Sequence, residues 1–240
     1  MKIALASARF INNDMEFNLA QIKRCMEEAK TRGADLVCFG ETFLQGFDAL
    51  TWDYDRDKDV ALSVDSRVFR QLRALTERVG IDLLFGFVER EGGSLYSSCA
   101  LLCGGELVHL YRRISQGWKE YWKTDSHYRE GEAVSLFSYR GKQCLIALCG
   151  DLWEFPERFR LGEDLLFWPV YVSFTPEEWR ERYISEYARQ AALACGDVLL
   201  VNSLAASPDG AAFGGCFRFL DGTVEAMLPP EEEGLLLVEI

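Results

Sequence analysis

Apolar residues along the chain alternate between strand-like runs and helical spacings. Lys2 to Ala8 reads as a strand, after which Met15, Leu19, Ile22, Met26 and Ala29 recur on one helical face. Asn13 and Glu16 stand where a capping box would open that helix, and Gly33 where it would stop. Asp35 to Phe39 (DLVCF) is a short unbroken apolar run, the pattern of a strand covered on both faces. The rhythm repeats with Asp65 as cap, Val68, Leu72, Leu75 and Val79 on one face, Gly80 at the exit and the strand LLFGFV.

From Ser98 the pattern changes. SCALL and ELVHLY, separated by Cys103-Gly104-Gly105, predict a hairpin and therefore a mixed sheet. Beyond a polar, aromatic-rich loop lie the strands QCLIALC and LLFWPV. Thr175-Pro176-Glu177-Glu178 then has the form of a capping box with proline in the first turn. It opens a helix carrying Trp179, Tyr183, Tyr187 and Ala191 that is expected to end at Gly196. The strand VLLVN and a hairpin turning at Asp221-Gly222 follow. No repeat or linker interrupts the pattern, so one layered α/β domain over residues 1–240 is expected.

Composition narrows the functional classes. A net charge of -12 would repel a phosphate backbone, which argues against nucleic acid as a partner. The opening MKIALASARF is too short for a secretory leader, and no uncharged stretch approaches the roughly 20 residues that cross a bilayer. A cytoplasmic protein without membrane contact is expected. The eight cysteines sit mostly inside apolar runs, no C-x-x-C pair occurs, and His109 and His127 are the only histidines. Neither a disulfide framework nor a metal site is expected, and no P-loop or GxGxxG turn suggests an organic cofactor.

Two residues stand out chemically. Cys149 ends the run Gln143 to Leu148 and precedes Gly150-Asp151, a strand-to-turn junction where a nucleophile can be presented and where the Gly150 N–H could stabilise an oxyanion. Gly150 would also permit a strained turn there. Periodicity alone favours a core thiol. Glu41 follows DLVCFG, so a carboxylate is also delivered to the carboxyl edge of a buried strand, where it could take the thiol proton and return it to a leaving amine. A helix-start carboxylate is the equal alternative.

The segments GADLVCFGETF, LYSSCALLCGGELVHLYRR and YREGEAVSLFSYRGKQCLIALCGDLWEFPE resemble three successive motifs of the nitrilase, or carbon–nitrogen hydrolase, superfamily, and the likeness runs along nearly the whole chain. The resemblance implies a four-layer α-β-β-α sandwich of two mixed sheets, paired with a second copy through its helical layer. It implies cofactor-free hydrolysis of a non-peptide carbon–nitrogen bond in a small amide- or carbamoyl-type molecule. Glu41 matches the family's catalytic glutamate and Cys149 its nucleophile. The family lysine that closes a Y-R-K triplet is replaced, since this chain reads Tyr111-Arg112-Arg113. Arg113 in place, or Lys119 or Lys123 folding in from the loop, are the candidates for that cation. Glu120 and Asp125 are the candidates for a second acidic group near Gly131, and Trp118, Tyr121, Trp122 and Trp153 for the wall of a substrate pocket. Acyl transfer through the same cysteine, or a binding role with weak chemistry, stay open beside hydrolysis.

Overall fold

The computed structural model describes residues 1–206 and 211–240. In chain order the main elements are β1 (Lys2–Ser7), α1 (Met15–Thr31), β2 (Leu36–Cys38), α2 (Tyr54–Val60), α3 (Arg67–Val79), β3 (Asp82–Glu91), β4 (Ser94–Cys103) and β5 (Glu106–Arg112). They continue with β6 (Phe137–Tyr139), β7 (Lys142–Ile146), α4 (Asp151–Glu154), β8 (Leu165–Val170), α5 (Ile184–Ala192), β9 (Asp197–Asn202), β10 (Cys216–Leu220), β11 (Thr223–Leu228) and β12 (Gly234–Glu239).

Two six-stranded sheets result, ordered β12-β1-β2-β3-β4-β5 and β11-β10-β9-β8-β7-β6. Each has a parallel triplet at its centre, β1-β2-β3 in one and β7-β8-β9 in the other, with antiparallel strands outside. Side-chain alternation explains the layering. Ile3, Leu5, Leu36, Cys38 and Leu84 share one buried cluster with Cys144, Ile146, Phe167 and Leu199 of the second sheet. Their neighbours Ala4, Ala6, Val37, Phe39, Leu83 and Phe85 pack instead against Ile22 and Met26 of α1 and Phe69 and Leu72 of α3. On the far side, Trp168 and Phe217 meet Tyr187 and Trp179 at ring separations of 5.0 and 5.2 Å. The architecture is the expected helix, sheet, sheet, helix sandwich.

The helix starts differ by one residue from the sequence reading. Asp14, not Asn13, caps α1 by accepting from the Phe17 N–H at 2.9 Å, while Asn13 takes a φ of 62°. Ser66, not Asp65, caps α3 by accepting from the Phe69 N–H at 3.2 Å. A cap must stand directly before the first helical residue for its oxygen to reach the third N–H, and Asn13 and Asp65 stand one position too early. The capping box of Thr175 and Glu178 forms as read. Behind it Trp179–Tyr183 is a π turn, and the helix stops at Ala192, before Gly196. The glycine hairpins at Gly104-Gly105 and Asp221-Gly222 also form. Strand β12, which returns to pair with β1, had no counterpart in the sequence reading. Among the described residues, no helix is long and apolar enough to cross a membrane.

Candidate active site

Strand ends carry the reactive groups. Glu41 follows β2, Arg113 follows β5 and Cys149 lies three residues past β7, still alongside β8 through its N–H to the Pro169 carbonyl at 3.0 Å. Two non-glycine residues here have left-handed backbones, Thr42 beside Glu41 (φ 46°) and Cys149 itself (φ 39°). Such strain persists only where the surroundings hold it, and it marks sites where side-chain direction matters more than backbone comfort.

The sequence reading assigned the strained position to Gly150. Gly150 is in fact helical, with φ -65° and ψ -14°. Its lack of a side chain is needed for space: a Cβ there would lie 2.5 Å from Arg113 Nη2 and 3.1 Å from Ser115 Oγ. Gly86, in the middle of β3, does the same for the other turn. A Cβ on it would lie 2.5 Å from the Thr42 nitrogen and 2.7 Å from Glu41 Cα.

Glu41 is 1% exposed and Arg113 3%. Arg113 Nη1 donates to Glu41 Oε1 at 3.0 Å and to Oε2 at 3.3 Å, and Ser97 Oγ donates to Oε1 at 2.7 Å. The Ser97 carbonyl also accepts the Arg113 N–H at 2.9 Å, so one serine fixes both members of the pair. Burial is the largest single influence on Arg113 and opposes its charge, but Glu41, Cys149 and Asp151 together outweigh it and hold the guanidinium protonated.

The Cys149 thiol donates to the Tyr171 carbonyl at 3.6 Å, and the Cys149 carbonyl accepts from Trp168 Nε1 at 2.9 Å. Burial pushes this thiol up to about 11, with Arg113 pulling it down and Glu41 adding to the rise. Both of these side chains therefore act electrostatically on the sulfur. Burial favours the neutral thiol over the thiolate, and attack on carbon from the neutral form requires a base.

Asp151 ties the two halves of this site together. It is fully buried. Oδ1 accepts the Ile114 and Ser115 N–H groups at 3.1 and 2.8 Å, and Oδ2 accepts the Tyr111 hydroxyl at 2.6 Å and the Leu148 N–H at 2.8 Å. The segment behind Arg113 and the turn before Cys149 thus hang on one carboxylate. Asp151 was visible in the sequence only as part of a motif; a carboxylate two residues past a buried strand end was the available signal.

Other candidates sit elsewhere. Lys119 Nζ pairs with Glu130 at 2.8 Å and donates to the Tyr128 carbonyl. Lys123 is exposed. Glu120 is exposed, and Asp125 is exposed and engaged with the N–H and ring of His127, each at 2.9 Å. Among the described residues, none of these four is hydrogen-bonded to Glu41, Arg113 or Cys149. Glu130, directly before Gly131, is the carboxylate that holds the loop lysine, and sequence reasoning passed over it. Trp118 is buried with Tyr128 and Leu95, and Trp122 is 94% exposed. Trp153, 41% exposed, stands edge-on to Tyr187 at 5.0 Å. Tyr187 is held above the usual tyrosine range by burial first and by Cys149 second. All eight cysteines are free thiols, and no cluster of metal-ligating side chains occurs among the described residues.

A strained cysteine facing a buried glutamate and cation, with an adjoining N–H, can perform acyl transfer at a carbonyl. Comparison with known proteins agrees in class. The carbon-nitrogen hydrolase family matches residues 2–240, and the chain belongs to that family. The glutamine-dependent NAD(+) synthetase of Thermotoga maritima is 26% identical over 157 residues, 64% of this chain but only 26% of that protein. The N-carbamoylputrescine amidase of Arabidopsis thaliana is 21% identical over 184 residues, 74% of this chain and 61% of the relative. In fold, the NitN amidase of Nesterenkonia sp. AN1 superposes with a TM-score of 0.79 at 21% identity, covering all of this chain and 92% of the amidase.

Proposed function

We propose that the chain hydrolyses a small amide- or carbamoyl-type substrate through an acyl group carried on Cys149. The observation that carries this reading is the Glu41–Arg113 pair, 3.0 Å apart, whose guanidinium lies against Gly150 directly after Cys149. In the first half-reaction Glu41 takes the thiol proton while the sulfur bonds to the substrate carbon. The resulting oxyanion is met by the Arg113 guanidinium and the Gly150 N–H. The carbon–nitrogen bond then breaks as Glu41 returns the proton to the departing amine. In the second half-reaction Glu41 deprotonates a water that attacks the thioester, and the acid leaves with the cysteine restored.

Support also comes from the amidase of Nesterenkonia sp. AN1, a mutant of which undergoes Michael addition of acrylamide at its active-site cysteine. The test is intact-mass analysis after exposure to a panel of small amides, ureas and nitriles. A mass increase confined to Cys149, followed by release of acid and amine, is the expected result. Acylation of Cys149 with no acid released in water, and turnover only once an acceptor amine is supplied, would instead identify an acyltransferase. No adduct on any member of the panel would end the hydrolase reading and leave a binding role.

A further inference from the structure

Each guanidinium nitrogen of Arg113 has its own surroundings. Nε donates to Ser115 Oγ at 2.8 Å and Nη1 to Glu41 at 3.0 Å. Nη2 faces two glycines, where added Cβ atoms would lie 2.5 Å away at Gly150 and 3.2 Å away at Gly117. Two bonds to different edges of a planar group fix its position and its tilt together, so the direction of the third nitrogen follows. Ser115 is itself fully buried, with its N–H on Asp151 at 2.8 Å. It is therefore anchored on the same carboxylate as the Leu148 N–H just before the nucleophile.

We propose that Ser115 is a positioning residue that aims the Arg113 guanidinium, and that Ser115, Gly117 and Gly150 together form a seat built for arginine at this position. The inference rests on the reading of Cys149 as nucleophile and Arg113 as oxyanion donor. A lysine carries one nitrogen on a flexible stem. It cannot occupy the edge that meets Ser115 and the edge that meets Glu41 and still place a separate donor beside Gly150. Arg113→Lys, although it makes the motif more family-like, strands the Ser115 hydroxyl and leaves the space at Gly150 unfilled.

A double-mutant cycle separates this from a merely structural role for Ser115. The probe is whichever of formamide, acetamide, propionamide and benzamide the parent enzyme turns over fastest. Losing one hydrogen bond to a charged group predicts that Ser115→Ala lowers kcat by about 10- to 100-fold while KM stays within about threefold. In an Arg113→Lys background the same Ser115→Ala change should alter kcat by less than about twofold, because the bond it removes is already gone. Equal losses in both backgrounds, or a Ser115→Ala enzyme with parental kcat, would overturn the proposal. An independent readout is the Arg113 Nε–H resonance in the NMR spectrum. Slow solvent exchange in the parent, lost in Ser115→Ala, supports the seat, and unchanged exchange rejects it. If no amide is turned over and Cys149 takes up no acyl group, the hydrolase reading has failed, and the resonance alone decides whether the seat exists.

Discussion

Two turns bring the chemistry together, one from each sheet, and they are held in different ways. The Glu41 turn leaves β2 and lies flat on β3. It is fixed by backbone fit: the Gly86 N–H donates to the Gly40 carbonyl at 3.2 Å, the Leu44 N–H to the Gly86 carbonyl at 3.3 Å, and the missing side chain of Gly86 makes the approach possible. The Cys149 turn leaves β7 and is fixed by charge, through the four donors gathered on Asp151. Both hold a non-glycine residue at positive φ. Bulk at Gly86 should therefore break the first turn, and loss of charge at Asp151 the second.

The largest expected effect falls on the cysteine itself. Cys149→Ala should abolish turnover while its thermal unfolding remains cooperative, since the side chain is only partly buried at the edge of the inter-sheet cluster and its loss removes a single sulfur atom. Alkylation of the parent by iodoacetamide, followed by peptide mass mapping, should label Cys149 ahead of Cys25 and Cys144, which are buried where Cys149 is only partly so. Because the Cys149 thiol is raised above its ordinary value, its thiolate is scarce at neutral pH. The labelling rate should climb roughly tenfold per pH unit from pH 7 toward 10. A rate flat across that range would mean that Glu41 and Arg113 already keep the sulfur ionised.

Next comes the cation. Arg113→Met should lose about 2 to 4 kcal/mol of transition-state stabilisation, measured as kcat/KM, the range for one oxyanion donor. Labelling of Cys149 should slow as well, since Arg113 is what pulls its thiol down. Lys119→Met, which removes a pair with Glu130, should leave kcat/KM near that of the parent. Reversed penalties would move the oxyanion cation to the loop.

Asp151→Asn tests the charge-held turn. An amide keeps one acceptor oxygen but presents two N–H donors where the other oxygen accepted two bonds, and a loss on the order of 2 to 3 kcal/mol in urea unfolding is expected. Gly86→Ala tests the turn held by fit. Its new methyl group must displace the backbone at Thr42, costing about 1 to 3 kcal/mol of stability and lowering kcat more than it changes KM. If Gly86→Ala proved harmless, Glu41 would be held by its partners Ser97 and Arg113 alone.

Much of this was legible in the linear chain. The alternation of apolar runs implied layered α/β packing and Thr175 and Glu178 gave a cap, whereas the four-layer sandwich and the roles of Cys149 and Glu41 came from the family resemblance, since periodicity alone favoured a core thiol. What stayed hidden depends on contacts between distant segments. Gly86 looks like a weak point in a strand until the Glu41 turn is seen lying on it. Asp151 receives donors from positions 111, 114, 115 and 148, a set that no local pattern announces. Glu130 was passed over for Glu120 and Asp125 because loop charges carry no periodicity, and only the folded loop decides which carboxylate meets Lys119. Asn13 and Asp65 were single-residue errors in helix starts, within the ordinary ambiguity of boundaries.

Strand β12 bears on how the molecule is made. Residues 234–239 pair antiparallel with residues 2–7, register Lys2 with Glu239, and Met1 and Ile240 exchange hydrogen bonds at 3.0 and 2.9 Å. During synthesis the strand that covers the outer edge of β1 emerges more than two hundred residues after β1 itself. Until then an apolar strand of the first sheet offers unpaired N–H and carbonyl groups to whatever is nearby, including other nascent copies. Closing so long a loop is slow, so refolding yield should fall with rising protein concentration. Early supply of the segment 234–239 as a free peptide should recover part of that yield.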